Sequence, residues 1–232
     1  MPTQCAILFD IDGTLVSTAA TEESERRRYV EAIRDVTGKE AYVVPSRFAG
    51  MVDPQICKIL LTELGLSEDE VDRFLPNVLG RMGEVYRNME KKIALNAGVR
   101  ELLAILATSP RHVIGVLTGN VTAVAEEKLT CTGIRAYFSE FFCADYYFDR
   151  IRLVENAVRT CITKHELNSS KDVVIVGDTP RDIEAANASH AASVGVASGV
   201  YTMSQLSKAE ATHVYPNLEP TKALLAELGI TQ

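Results

Sequence analysis

The chain has 232 residues, 47% of them hydrophobic and 24% charged, with a net charge of -7, an ordinary globular composition with room for one large domain or a core plus an inserted one. Without a Lys/Arg-rich run, the acidic balance argues against nucleic acid or an anionic membrane as partner, since both need a positive footprint. The N-terminus lacks a basic region leading into an apolar stretch, no apolar run reaches membrane-span length, and the five cysteines are odd in number and widely spread, so a cytoplasmic protein with reduced thiols is expected.

In chain order, "AILF" (residues 6 to 9) is a strand pattern that runs into Asp10 and Asp12, one residue apart, with Gly13 and Thr14 behind them. Residues 17 to 92 carry helical periodicity and no convincing strand. Thr21 is placed to cap a helix whose first turn holds Glu22, Glu23 and Glu25 and whose apolar face is Tyr29, Ile33 and Val36, with Gly38 ending it. Asp53-Pro54 opens a second helix that Gly65 stops. Ser67 with Glu70 forms a capping box for a third, which Pro76 is expected to kink or split. The segment "RFAGMVD" (47 to 53) joins the first two and could bring Arg47, Gly50 or Asp53 toward a site.

From about residue 93 onward, apolar runs alternate with helical patterns. "HVIGVLTG" (112 to 119), "YFSEFFCAD" (137 to 145), "KDVVIVGD" (171 to 178), "AASVGVASG" (191 to 199) and "THVYP" (212 to 216) each lead into a helix, the last being "EPTKALLAELG" (219 to 229). This alternation predicts an α/β fold: a Rossmann-like parallel sheet with helices on both faces, formed by residues 1-16 and 93-232, plus an inserted all-α domain over 17-92.

In such a sheet, ligands bind beyond the carboxyl ends of the strands. The first strand ends in Asp10, Asp12, Gly13 and Thr14, the second in Thr118, Gly119 and Asn120, and the fourth in Gly177, Asp178, Thr179 and Asp182. "DYYFDRIR" between the last two carries Arg150 and Arg152. Four aspartates in one cleft would repel one another unless a cation joined them, and oxygen-only donors favour a hard ion such as Mg2+. The four histidines show no ligand spacing.

These motifs, "DIDGT", "LTGN", a basic residue near 150 and "GDTPRD", occur in the order found in the haloacid dehalogenase superfamily. The chain resembles its phosphatase branch, and in particular phosphoglycolate phosphatase-like members with a helical cap after the first strand. The resemblance implies Asp10 as nucleophile forming an aspartyl-phosphate, and Asp12 as general acid and base. It implies Mg2+ held by Asp10, the Asp12 carbonyl and Asp178, with Asp182 in support. Thr118 would donate to a phosphoryl oxygen, with Gly119 and Asn120 beside it. Family members often have a lysine followed by prolines in the third motif, where this chain has "DRIR"; Arg150 is the first choice for the phosphate cation and Arg152 the second. Plainer readings stand beside these: Thr118 as a helix cap, Asp182 as a helix N-terminal acid and Arg150 as a solvated helix residue.

The function implied is a Mg2+-dependent phosphatase acting on a small phosphorylated metabolite, with no nucleic-acid or membrane partner. The alternatives are a beta-phosphoglucomutase-like phosphosugar mutase and, from a different class, a receiver-like or non-catalytic phospho-ligand-binding module. Asp12 argues against a dehalogenase, which needs no acid there.

Overall fold

A computed structural model describes residues 5–227. The strands β1 (Cys5–Phe9), β2 (His112–Leu117), β3 (Glu140–Phe142), β4 (Val173–Gly177), β5 (Ala192–Val196) and β6 (His213–Tyr215) form a parallel sheet in the order β3-β2-β1-β4-β5-β6. The strand order reverses between β1 and β4. A crevice therefore opens at their carboxyl ends, where crossover loops leave in opposite directions.

Both faces of the sheet are covered, as its nearly continuous apolar strands require. On β1, Ile7 and Phe9 face a cluster built with α4 (Val99–Leu106), α5 (Thr122–Cys131) and α9 (Thr221–Glu227). Ala6 and Leu8 point the other way, into a cluster with α6 (Arg150–Lys164) and α7 (Pro180–Ala188). A short helix, α8 (Met203–Lys208), lies against β5 and β6. Residues 228 and 229, the end of the expected last helix, lie outside the described residues.

Between β1 and β2 run α1 (Thr18–Thr37), α2 (Asp53–Glu63) and α3 (Glu68–Asn88), which bury Ile33, Leu60, Leu75 and Met82 in a third cluster. Val121 and Val124 of the α5 region belong to that cluster too, so the helical insert is seated on the helix that follows β2.

One local expectation is corrected, and of the two outcomes expected at Pro76 the split does not occur. The first helix begins at Thr18, not after Thr21, and Ser17 is its N-cap residue; the Thr21 hydroxyl bonds back to the Ser17 and Thr18 carbonyls within the first turn. Threonine at this position can satisfy its own hydroxyl on the preceding turn and so need not end the helix. The third helix runs unbroken through Pro76. Pro76 and Asp72 are exposed, so the Asp72 carbonyl that loses its amide partner can turn to water. Gly38 in the left-handed region and the Ser67/Glu70 capping box are where the sequence places them.

Candidate active site

Strand β1 carries Asp10 to the crevice, with its amide bonded to the Val176 carbonyl of β4 at 2.9 Å. The chain then folds tightly on itself, and the Leu15 and Val16 amides both reach the Ile11 carbonyl. Asn96 and Ser198 hold the turn from outside by donating to the Gly13 carbonyl at 2.8 and 2.7 Å. Gly13 has φ +87°, and a Cβ there would run into the Asp178 carboxylate. Only glycine combines that backbone angle with that approach.

The turn places its two carboxylates in opposite surroundings. Asp10 accepts from Arg150 Nη2 at 2.8 Å, and the same guanidinium contacts Asp182. Arg150 is 7% exposed, whereas Arg152 is 75% exposed and pairs with Glu155 on the surface. Burial pushes Asp10 up to about 7, against the pull of Arg150. Asp178 is driven well up as well, by burial and then by the charges of Asp10 and Asp182. Ligand oxygens of Asp10, Asp178 and Asp182 all lie within 4.8 Å of one another.

Asp12 has different partners. Lys128 on α5 reaches its two oxygens at 2.8 and 2.7 Å, and Asn120 Nδ2 donates to it at 2.7 Å. Burial alone would raise this carboxyl, but Lys128 and Asn120 hold it below the ordinary range. Lys128 is fully buried, and burial would strip its proton if Asp12 and Glu25 did not keep it charged.

The loop after β2 supplies Thr118, Gly119 and Asn120. The Thr118 hydroxyl accepts from the Asn120 amide and from Asn120 Nδ2 at 3.2 and 2.8 Å, which leaves its hydrogen for a ligand oxygen. It does not cap α5. The first amides of that helix go instead to Asp53, at 2.8 Å from the Val121 amide, and to Asp145. Asp182 closes a capping box with Thr179 at the start of α7. Both its oxygens are thereby engaged, one by Thr179 and one by Arg150.

The insert reaches the same place with a second buried network. Arg28 of α1 donates to Glu25 at 2.7 Å, to both oxygens of Asp53 at 2.7 and 3.0 Å, and to Asn120 at 3.1 Å. The Tyr29 hydroxyl donates to Asp53 at 2.5 Å. Glu25 pairs with Lys128 at 2.7 Å. Of the segment 47 to 53, Gly50 and Asp53 line the cavity, while Arg47 turns outward to Glu63. A Cβ on Gly119 would collide with the Met51 carbonyl, and the Gly119 carbonyl accepts from the Asp53 amide at 2.7 Å.

The sequence reading missed Lys128, Glu25 and Arg28. Each has a signal in the helical period. Lys128 falls at i+7 from Val121 and i+4 from Val124, on the buried face of α5; Glu25 and Arg28 lie on the stripe that continues through Tyr29, Ala32 and Ile33. Charges on an apolar stripe are paired when buried.

A Rossmann-like sheet whose switch point gathers carboxylates from β1 and β4, with a helical insert over them, defines an acid-centred α/β class of protein. The chain belongs to the haloacid dehalogenase-like hydrolase family, whose model matches residues 7–196. Solved structures agree in fold. A protein of Haemophilus somnus described as a "predicted phosphoglycolate phosphatase" shares 20% identity at TM-score 0.69, covering 97% of this chain and 98% of that one. A "predicted phosphatase" of Clostridium acetobutylicum shares 18% at TM-score 0.70, over 97% and 99%. CbbY of Rhodobacter sphaeroides, solved with phosphate, shares 17% at TM-score 0.66, over 94% and 96%. A comparison with curated protein sequences finds no significant match. No helix among the described residues is long and apolar enough to cross a membrane.

Proposed function

We propose that the chain is a Mg2+-dependent phosphatase that hydrolyses a small phosphomonoester through an aspartyl-phosphate on Asp10, with residues 17 to 92 serving as its cap. The observation that carries this reading is the separation of Asp10 from Asp12: adjacent on one turn, one is set against Arg150 and an acidic cluster, the other against Lys128. Divergent surroundings of two neighbouring carboxylates are how one site assigns two roles.

The buried donors fit a hard divalent ion. Asp10, Asp178 and Asp182 converge through oxygen alone, and Asp10 and Asp178 are raised first by burial and then by neighbouring carboxylates, a cost that a cation would relieve. Asp10, the Asp12 carbonyl and Asp178 would hold the ion, with Asp182, which bonds Thr179 and pairs with Arg150, in support. When bound, the ion neutralises phosphoryl charge and helps a carboxylate approach phosphorus.

Arg150 and the Thr118 hydroxyl receive the phosphoryl oxygens and orient phosphorus over Asp10. Asp10 attacks phosphorus as the bond to the alcohol breaks. Asp12 gives its proton to the departing alkoxide and then takes one from the water that cleaves the aspartyl-phosphate. Held ionised by Lys128 in the resting protein, Asp12 is ready as the base; a phosphate dianion arriving beside it raises it for the acid step. The insert closes the cavity and keeps bulk water from the first step.

A phosphosugar mutase would have to hold a second phosphate on the insert side, where the lining cation is Arg28, already engaged by Glu25 and Asp53. This favours the phosphatase. The reading is tested by assaying p-nitrophenyl phosphate with Mg2+ and with EDTA: Mg2+-dependent release of phosphate supports it, and turnover unaffected by EDTA removes the metal from it.

A further inference from the structure

We infer that the site selects phosphomonoesters whose alcohol part is uncharged or positively charged and turns away those carrying a carboxylate; this rests on the phosphatase reading above. A cavity of about 370 Å3 lies over Asp10, under the insert, a size suited to a small metabolite. Its phosphate end has Arg150 and the Thr118 hydroxyl. The wall that the insert adds, set against Gly119 and Asn120 of the core, is left for the alcohol part and is made of apolar Phe48, Met51 and Ile56 and of three carboxylates, Glu22, Glu25 and Asp53.

Among the described lining residues of the insert, Arg28 is the one cation, and its guanidinium is spent. Nε goes to Glu25, Nη1 to Asp53, and Nη2 to Asp53 and Asn120. Lys128 stands behind the wall, occupied by Asp12 and Glu25, and Arg47 faces outward to Glu63. Glu22 is exposed at the cavity wall and has no ion pair among the described residues.

A substrate carboxylate would therefore find no free guanidinium or ammonium, and Glu22, the carboxylate of this wall left without a counter-charge among the described residues, carries its own sign. An alcohol part with hydroxyls can use the apolar surface and the Thr18 and Ser46 hydroxyls that also line it. An ammonium would pair with Glu22. Like charges brought together weaken binding, and a cation in place of an anion reverses the sign.

The test is a matched series of near-equal size: phosphoglycolate, 2-hydroxyethyl phosphate and 2-aminoethyl phosphate, each assayed for kcat/KM with Mg2+. The same ranking is read from their competitive inhibition of p-nitrophenyl phosphate hydrolysis. The neutral and cationic esters should exceed phosphoglycolate by about 10-fold or more. Glu22→Lys, an exposed change on a helix surface, should move the ratio of phosphoglycolate to 2-aminoethyl phosphate upward by a similar factor. Equal constants, or a preference for phosphoglycolate, would overturn the inference and leave the phosphatase reading standing. Failure to hydrolyse all three esters and the aryl phosphate would overturn that reading, and the inference with it.

Discussion

Lys128 Nζ lies 2.8 and 2.7 Å from the two carboxylate oxygens of Asp12, and the same ammonium pairs with Glu25 of the helical insert at 2.7 Å. It also sits 5.4 Å from the centroid of the Tyr86 ring on α3. A single buried charge thus ties the acid/base candidate of the core to two helices of the insert.

Lys128 sets the protonation of Asp12. A base must be ionised to work, so with Mg2+ bound and Asp10 thereby ionised, kcat falls as pH drops through the Asp12 pKa, which Lys128 and Asn120 keep low against burial. Removing the ammonium lets burial act. Lys128→Met should move the acid limb of the kcat profile to higher pH by about one unit or more, the scale of a lost close charge partner. A limb left in place would show that Asp12 is governed by something else.

Arg150 and Arg152 should separate sharply. Arg150 is buried between Asp10 and Asp182, and truncating one partner of a buried ion pair costs about 3–5 kcal/mol. Arg150→Met should lose stability on that scale and activity by about 100-fold or more, the cost of a lost electrostatic donor. Arg150→Lys, which keeps the charge, should regain most of the stability without the two-pronged contact. Arg152→Met should match the parent in thermal melts and in turnover.

Asp53 joins the insert to the core, since it accepts from Arg28, Tyr29 and the Val121 amide. Asp53→Asn keeps its shape and removes its charge. The expected loss of about 3 kcal/mol would lower Tm by roughly 6–12 °C in a chain of this size. KM should rise with it as the insert loses its hold on α5. Differential scanning calorimetry beside steady-state kinetics checks both.

Much of this arrangement was legible in the sequence. The parallel sheet followed from alternating apolar runs and helical patterns, and "DIDGT", "LTGN" and "GDTPRD" fell at strand ends because the polar residues began where the apolar runs stopped. Arg150 and Arg152 could not be told apart by spacing. They are two residues apart on one helix and so face different directions, and only the docking of α6 on the sheet decides which one is buried. Lys128, Glu25 and Arg28 were hidden for another reason. Their meaning lies in pairing with one another across the insert and α5, a long-range contact that a one-dimensional pattern registers only as charges on an apolar stripe. Pro76 does not split α3, because local propensity is weak beside the packing of α3 on α1 and α5.

Metal binding should depend on pH. Asp10 rises from an ordinary 3.8 to about 7 in the metal-free protein, through burial. The fold therefore binds its proton more tightly than the unfolded chain does, and stability from this group falls as pH rises from about 4 to about 7. Mg2+ needs the ionised carboxylate, so it competes with that proton. The gain in Tm from millimolar Mg2+ should be small near pH 5 and larger near pH 8. An equal gain at both would place the ion away from Asp10.

The most direct measurement is to trap the covalent intermediate. Quenching steady-state hydrolysis of p-nitrophenyl phosphate with borohydride reduces an aspartyl-phosphate to homoserine, which peptide mass spectrometry locates. Homoserine at residue 10, formed only with substrate and absent from Asp10→Asn, is the predicted result. Sustained turnover with no reduction at residue 10, or with Asp10→Asn as active as the parent, would contradict the account.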